Sequence, residues 1–203
     1  MNEIDEIMRK YEYAKQMLET EISILIKEFS YCHHYNPVEH VKSRLKDERS
    51  IREKLKRKNL EYNKMNILKN IDDVVGIRIV CSFLTDVYDI VVMLLQSKNI
   101  IIKERKDYIT NPKDTGYSSY HLIVLVPIYL QGRVEYVPAE IQIRTVAMDF
   151  WASLDHKIQY KFGENIPEEV KQKMYDYSLT VKELDKKMLS LNEIISKYKE
   201  EGL

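Results

Sequence analysis

Only two cysteines, Cys32 and Cys81, occur in 203 residues. They lie far apart, and neither their number nor their spacing supports a zinc site or a disulfide framework. Cys81 falls in an apolar, strand-like pattern, which predicts a core position. Net charge is also absent, since 32 Lys+Arg balance 32 Asp+Glu. No global field therefore favours nucleic acid or a membrane surface, and any anion site must be a local basic patch. No apolar run is long enough to span a bilayer. The acidic start Met1-Asn2-Glu3-Ile4-Asp5-Glu6 has no signal-peptide apolar segment, so the expected location is the cytoplasm. A Walker A lysine loop, a dinucleotide glycine fingerprint and a kinase signature are all missing. So are internal repeats and low-complexity stretches.

What is present is a real core and a soluble surface: 44% of residues are hydrophobic and 32% charged. The length suits one domain with helical extensions. Apolar residues from Ile4 to Phe29 recur at spacings of three and four, which predicts an amphipathic helix ended by Asn36-Pro37. Val38 to Lys58 reads as a second, strongly basic helix, and a bare charge run of this kind is first of all a solvated face. Ile71 to Phe83 reads as the first core strand, with Arg78 in its middle. A buried arginine needs an anionic partner. Strict alternation puts Asp73 on the face opposite Arg78, so bringing the two together calls for a bend near Gly76. A short helix follows from Thr85, its expected N-cap, to Gln96. Further strands are expected at 100–105, 122–130 and 133–143, with a Gln131-Gly132 turn between the last two. Val146 to Phe162 reads as a helix with Phe150 and Trp151 packed on the sheet and Gly163 as its stop. Pro167 opens the last helix. There Val170, Met174, Tyr177, Val181, Leu184, Met188, Leu191, Ile195 and Tyr198 alternate spacings of four and three, a heptad seam. The seam suits either self-association or packing on the first helix of the same chain.

The stretch 106–121 is a loop by composition. Asn111-Pro112 favours a turn, and Asp114-Thr115-Gly116 supplies a residue able to take positive φ. The loop carries Lys106, Lys113, Tyr117, Ser118, Ser119 and His121, all groups suited to phosphates and bases, and feeds an apolar strand.

This loop resembles the K-D-Y-I-x-x-P-K-x-x-G-Y-x-S-x-H signature of RelA/SpoT-type (p)ppGpp synthetases. Glu140 to Ala152 is similar to that family's E-I-Q-I-R-T-x-A-M-x-F-W-A element, and Asp73 to Arg78 to its D-x-x-G-x-R element. The basic stretch resembles R-x-K-x-x-x-S-I-x-E-K-L of the small alarmone synthetases, on Arg44, Lys46, Ser50, Ile51, Glu53, Lys54 and Leu55. The match covers roughly Val38 to Phe162.

The resemblance implies an α/β (α+β) fold, a nucleotidyltransferase-like mixed sheet flanked by helices. It divides the chain into an N-terminal helix (1–35), a synthetase core (36–163) and a C-terminal helix (164–203). It further implies transfer of the pyrophosphate group of ATP to the 3′-hydroxyl of GDP or GTP, with GMP left open as acceptor, making (p)ppGpp and AMP for the stringent response. ATP is then expected on Arg44, Lys46, Ser50, Lys54 and Arg78, with the two arginines sandwiching adenine. Asp73 and Glu140 are the expected catalytic carboxylates and Mg²⁺ ligands, and Glu140 is a candidate base for the 3′-hydroxyl. The expected guanine-nucleotide contacts are Arg105, Lys106, Lys113, Tyr117, His121, Gln142, Arg144 and Asp149, with Tyr117 stacking on the base. Asp149 stands where many relatives carry Asn, which bears on base specificity.

Without the motif, Glu140 would be read as a strand-edge ion pair with Arg133 or Arg144. No histidine is followed by Asp, so the His-Asp metal motif of the family's hydrolase domain is missing. A homo-oligomer is expected, a tetramer by resemblance, with an alarmone or single-stranded RNA as possible allosteric partner. Two alternatives stay open: a toxin-type relative acting on the 3′ end of tRNA, and a catalytically silent nucleotide- or RNA-binding module.

Overall fold

The computed structural model describes residues 3–163 and 165–200. Its centre is a mixed five-stranded sheet. The strands are β1 (Val38–Leu45), β2 (Val75–Cys81), β3 (Ile101–Asp107), β4 (Tyr120–Leu130) and β5 (Arg133–Thr145), in the spatial order β1-β2-β5-β4-β3. Only the β2–β5 pair is parallel. The helices are α1 (Glu3–His33), α2 (Glu48–Arg57), α3 (Lys64–Asn70), α4 (Leu84–Gln96), α5 (Val146–Phe162) and α6 (Glu168–Glu200).

One face of the sheet is apolar and covered. Ile77, Ile79, Ile141, Ile143, Leu122 and Val124 lie on it, all buried. Helices α1 and α4 pack against this face. Helix α1 contributes Ile7, Tyr11, Ala14, Leu18 and Ile22, one stripe at helical spacing, to the same core as the strands. Cys81 is buried there too. The opposite face carries the polar residues described below.

The β4–β5 hairpin closes through Gln131 (φ 34°) and Gly132 (φ 84°), both left-handed, as a two-residue turn matched to strand twist requires. Helix α5 has the bounds expected of it. It starts on Thr145, whose hydroxyl accepts from Met148 N–H at 3.1 Å, and ends at Gly163 (φ 60°).

Four expectations change. Val38–Leu45 is a strand, and only Glu48–Arg57 of the basic stretch is helical. Pairing with β2 overrides the charge pattern, and the solvated edge of a strand carries basic residues as readily as a helix does. The helix begins at Asp47, whose side chain accepts from Ser50 N–H at 2.8 Å. Strand β2 is shorter than expected and starts at Val75, so Asp73 precedes it in irregular backbone and is not bound by alternation. Thr85 is inside α4, whose N-cap is Phe83. Asp86 accepts from the Phe83 N–H at 2.9 Å, which satisfies that amide without a capping hydroxyl. Phe150 does not pack on the sheet. It is 64% exposed, whereas Trp151 is 4% exposed, because the inward stripe of α5 runs through Met148, Trp151, Ala152 and Asp155.

Since α1 closes the core rather than decorating it, Leu18→Ala is expected to cost about 2–5 kcal/mol in urea unfolding. A loss under about 1 kcal/mol would mean that α1 is only loosely docked.

Candidate active site

Strand register assembles the site. Reading straight across the sheet, Lys42, Arg78, Gln142, His121 and Lys106 are successive Cα partners. The neighbouring row is Arg44, Gly76, Glu140 and Ile123. Partners in adjacent strands point to the same face, so five strands deliver one polar surface. A bulge between Ile102 and Glu104 sets the parity of β3. Beyond it Lys106 pairs with His121 and Arg105 with Leu122. Arg105 therefore shares the face of the core residue Leu122, is exposed, and is not brought to the site.

On the β1–β2 side lies a cleft of about 270 Å³ lined by Lys42, Arg44, Asp73, Arg78, Glu140 and Gln142, among others. The Arg44 side chain runs along Gly76, 3.7 Å from where a Cβ would stand. Asp73 is gripped by Lys46 Nζ and Lys54 Nζ, both at 2.8 Å. Burial opposes ionisation of Asp73, but the two lysines outweigh it and hold its pKa below the usual carboxylate value. Ser50 is occupied otherwise: its hydroxyl donates to Asp47 at 2.8 Å as part of the α2 cap.

On the other side a chain of polar contacts begins at Glu140. Its carboxylate faces His121 Nδ1 at 3.2 Å and accepts from Gln142 Nε2 at 2.7 Å. Burial would raise its pKa, yet His121 and Gln142 prevail and leave it lowered. Neither Arg133 nor Arg144 pairs with Glu140, since Arg133 sits on Glu135 and Arg144 on Asp149. His121 Nε2 meets the Tyr117 hydroxyl at 2.9 Å. Arg144 donates to that hydroxyl at 3.0 Å, to Gln142 Oε1, and to Asp149 at 3.2 Å. Asp149 Oδ1 also lies 3.2 Å from Arg78. Asp149 is thus a bridge between two arginines.

In the loop, Lys113 Nζ stands 5.0 Å from the ring centres of both Tyr108 and Tyr117. Tyr108 packs edge-on against His121 at 5.1 Å. Tyr108 and Lys42 are parts of this surface that sequence reasoning did not single out. Tyr108 sits within the loop motif, which was the available signal. The signal for Lys42 is only its register.

Cations outnumber carboxylates throughout this surface, in a chain with no net charge. Among the described residues no group of three or more His, Cys, Asp or Glu could hold a metal by itself. Asp73 and Glu140 line one cleft, and the Asp73 charge opposes ionisation of Glu140.

Comparison with known proteins places this surface in context. Residues 43–165 match a family model described as a region found in RelA / SpoT proteins. The GTP pyrophosphokinase YwaC of Bacillus subtilis (strain 168) is 45% identical over 183 residues, covering 90% of this chain and 87% of that protein. A second, GTP pyrophosphokinase YjbM of the same strain, is 35% identical over 178 residues, 88% of this chain and 83% of the relative. The solved structure of small alarmone synthetase 1 from Bacillus subtilis bound to its product pppGpp superposes with a TM-score of 0.86 at 33% identity, covering 95% of this chain and 97% of that one.

The lowered pKa of Asp73 gives a signed expectation. Its contribution to stability is present above its ordinary 3.8 and is lost as pH falls through the lower folded-state value. Asp73→Asn is expected to destabilise the fold at neutral pH, with the deficit shrinking below pH 3.8 in urea unfolding across a pH series. A deficit constant with pH would refute the ion-pair account.

Proposed function

The chain belongs to the RelA/SpoT family and is a GTP pyrophosphokinase that makes (p)ppGpp; from that premise we propose how its residues divide the reaction. ATP lies in the β1–β2 cleft. Arg44 and Arg78 stack on adenine, for which planar guanidinium groups are suited. Lys46 and Lys54 hold its phosphates. The guanine nucleotide lies on the loop side, its base against Tyr117 and its phosphates near Lys106 and Lys113. The single observation that carries this reading is the convergence of motifs far apart in sequence on one polar sheet face, with Glu140 at the seam between the two sides.

The donor set fits Mg²⁺: Asp73 and Glu140, in one cleft, would offer it hard oxygens, the rest being left to phosphate and water. When bound, it would offset the charge of the transferred group. The chain's own residues do the rest. Glu140, kept ionised by His121 and Gln142, accepts the proton of the 3′-hydroxyl. The lysines and arginines hold the two nucleotides in line, and AMP leaves. Ser50 and Arg105 have no part in this scheme. Asp149 acts by fixing Arg78 and Arg144.

We place the protein in the cytoplasm; no described helix is long and apolar enough to cross a membrane. We also propose a homo-oligomer, a tetramer by family likeness. Tyr177, Leu184, Met188, Leu191 and Ile195 of the heptad seam are exposed on α6, which packs on α5 and α4 of its own chain. Light scattering at micromolar concentration is expected to give a mass well above one chain; a monomer would overturn this.

Glu140→Gln is expected to reduce turnover by on the order of 100-fold or more with the fold intact. Near-normal turnover would remove Glu140 from its role. With ATP labelled in its γ phosphate, equimolar GDP and deacylated tRNA, label is expected in the guanine nucleotide. Zero net charge leaves little long-range pull on a polyanion. Label mainly on tRNA would favour the toxin-type reading.

A further inference from the structure

Most of the residues that α6 buries deeply are not those of its apolar seam. Met174, Ser178 and Asp185 are buried, while Tyr177, Leu184 and Met188 of the seam are exposed. Two polar side chains at a tight interface are costly unless something needs them there. Asp185 accepts from the Thr145 hydroxyl at 2.7 Å, the same hydroxyl that caps α5. Ser178 turns its hydroxyl to the Tyr175 carbonyl of its own helix at 2.6 Å, so hydrogen bonding does not explain its place.

Gly116 does. It has φ 75°, a left-handed conformation, and a Cβ added there would fall 1.8 Å from Ser178 Oγ. The loop backbone therefore lies directly on Ser178. This is the turn that sets Lys113 beside Tyr117: Gly116 N–H donates to the Lys113 carbonyl at 2.7 Å, and Lys113 N–H to the Tyr117 carbonyl at 3.1 Å. Trp151 holds the other end of that Thr115–Gly116 peptide, its indole N–H donating to the Thr115 carbonyl at 3.3 Å. A small cavity of about 40 Å³ lies beside this contact, with little slack for a larger side chain.

We propose that α6 is a positioning element for the acceptor loop, with Ser178 the positioning residue on which Gly116 seats. The helix sets affinity for the guanine nucleotide without touching it. This rests on the reading that the loop takes that nucleotide.

The test is steady-state kinetics of the full chain, with light scattering to confirm that assembly is unchanged. Ser178→Leu is expected to raise KM for GDP on the order of tenfold, leaving KM for ATP and turnover at saturating GDP within about twofold. Ser178→Ala is expected to behave as wild type. The emission of Trp151, the sole tryptophan, is expected to shift in Ser178→Leu before any nucleotide is added. If Ser178→Leu does not fold, Ser178→Thr is expected to move KM for GDP the same way by a smaller factor. Tyr117→Ala is the control. If it raises KM for GDP while the bulkier residues at 178 do not, the positioning role is overturned and the acceptor assignment stands. Equal rises in both KM values overturn it too, as a general structural defect. If Tyr117→Ala leaves KM for GDP unchanged, the acceptor assignment fails and the proposal falls with it.

Discussion

The architecture of the site depends on neutralising Arg144. Its side chain is 2% exposed, and a guanidinium so enclosed is tolerable only when paired and hydrogen-bonded. Its partners come from three segments: the Tyr117 hydroxyl from the loop, the Gln142 side chain from β5, and Asp149 from α5. Each partner holds something further. Tyr117 reaches His121, Gln142 reaches Glu140, and Asp149 reaches Arg78. One buried cation thereby fixes the loop, the central strand and the helix start against each other. A site built this way has its charges in place before substrate arrives, which is where electrostatic catalysis gains most.

A balanced chain also becomes locally selective for anions. Its zero net charge gives no long-range attraction, and at physiological salt the field of an exposed charge is largely screened beyond about 8 Å. Along the polar sheet face and its rim, however, Lys42, Arg44, Lys46, Lys54, Arg78, Lys106 and Lys113 gather around the carboxylates Asp73 and Glu140. Such a surface rewards a small, dense polyphosphate that fits the cleft more than an extended polyanion passing over it.

The helical termini do more than extend the core. Helix α1 supplies a continuous stripe to the main hydrophobic cluster. Helix α6 faces two ways: its buried stripe of Met174, Ser178 and Asp185 meets the loop and the start of α5, and most of its apolar seam faces outward. The outward seam was plain in the sequence because leucines and methionines mark a heptad. The inward stripe was not, because Ser178 and Asp185 do not look like core residues and are explained only by the backbone and hydroxyl they meet.

By itself the sequence determined most of the period-3.6 helices, the apolar strands, the Gln131-Gly132 turn, the Gly163 stop and the left-handed Gly116 of the loop. The motifs identified the family. These features rest on spacing and on residues a few positions apart, which the chain carries locally. Tertiary structure decided which face each side chain took. It made a strand of Val38–Leu45 by pairing it with β2, freed Asp73 from alternation by starting β2 later, and sent Lys106 to the site and Arg105 away through one bulge. It also gave Asp149 two arginines to bridge. The reason is that parity in a strand is set by register with its neighbour, and the partner of a buried charge by which segments the fold brings together; neither is written within any single stretch of chain.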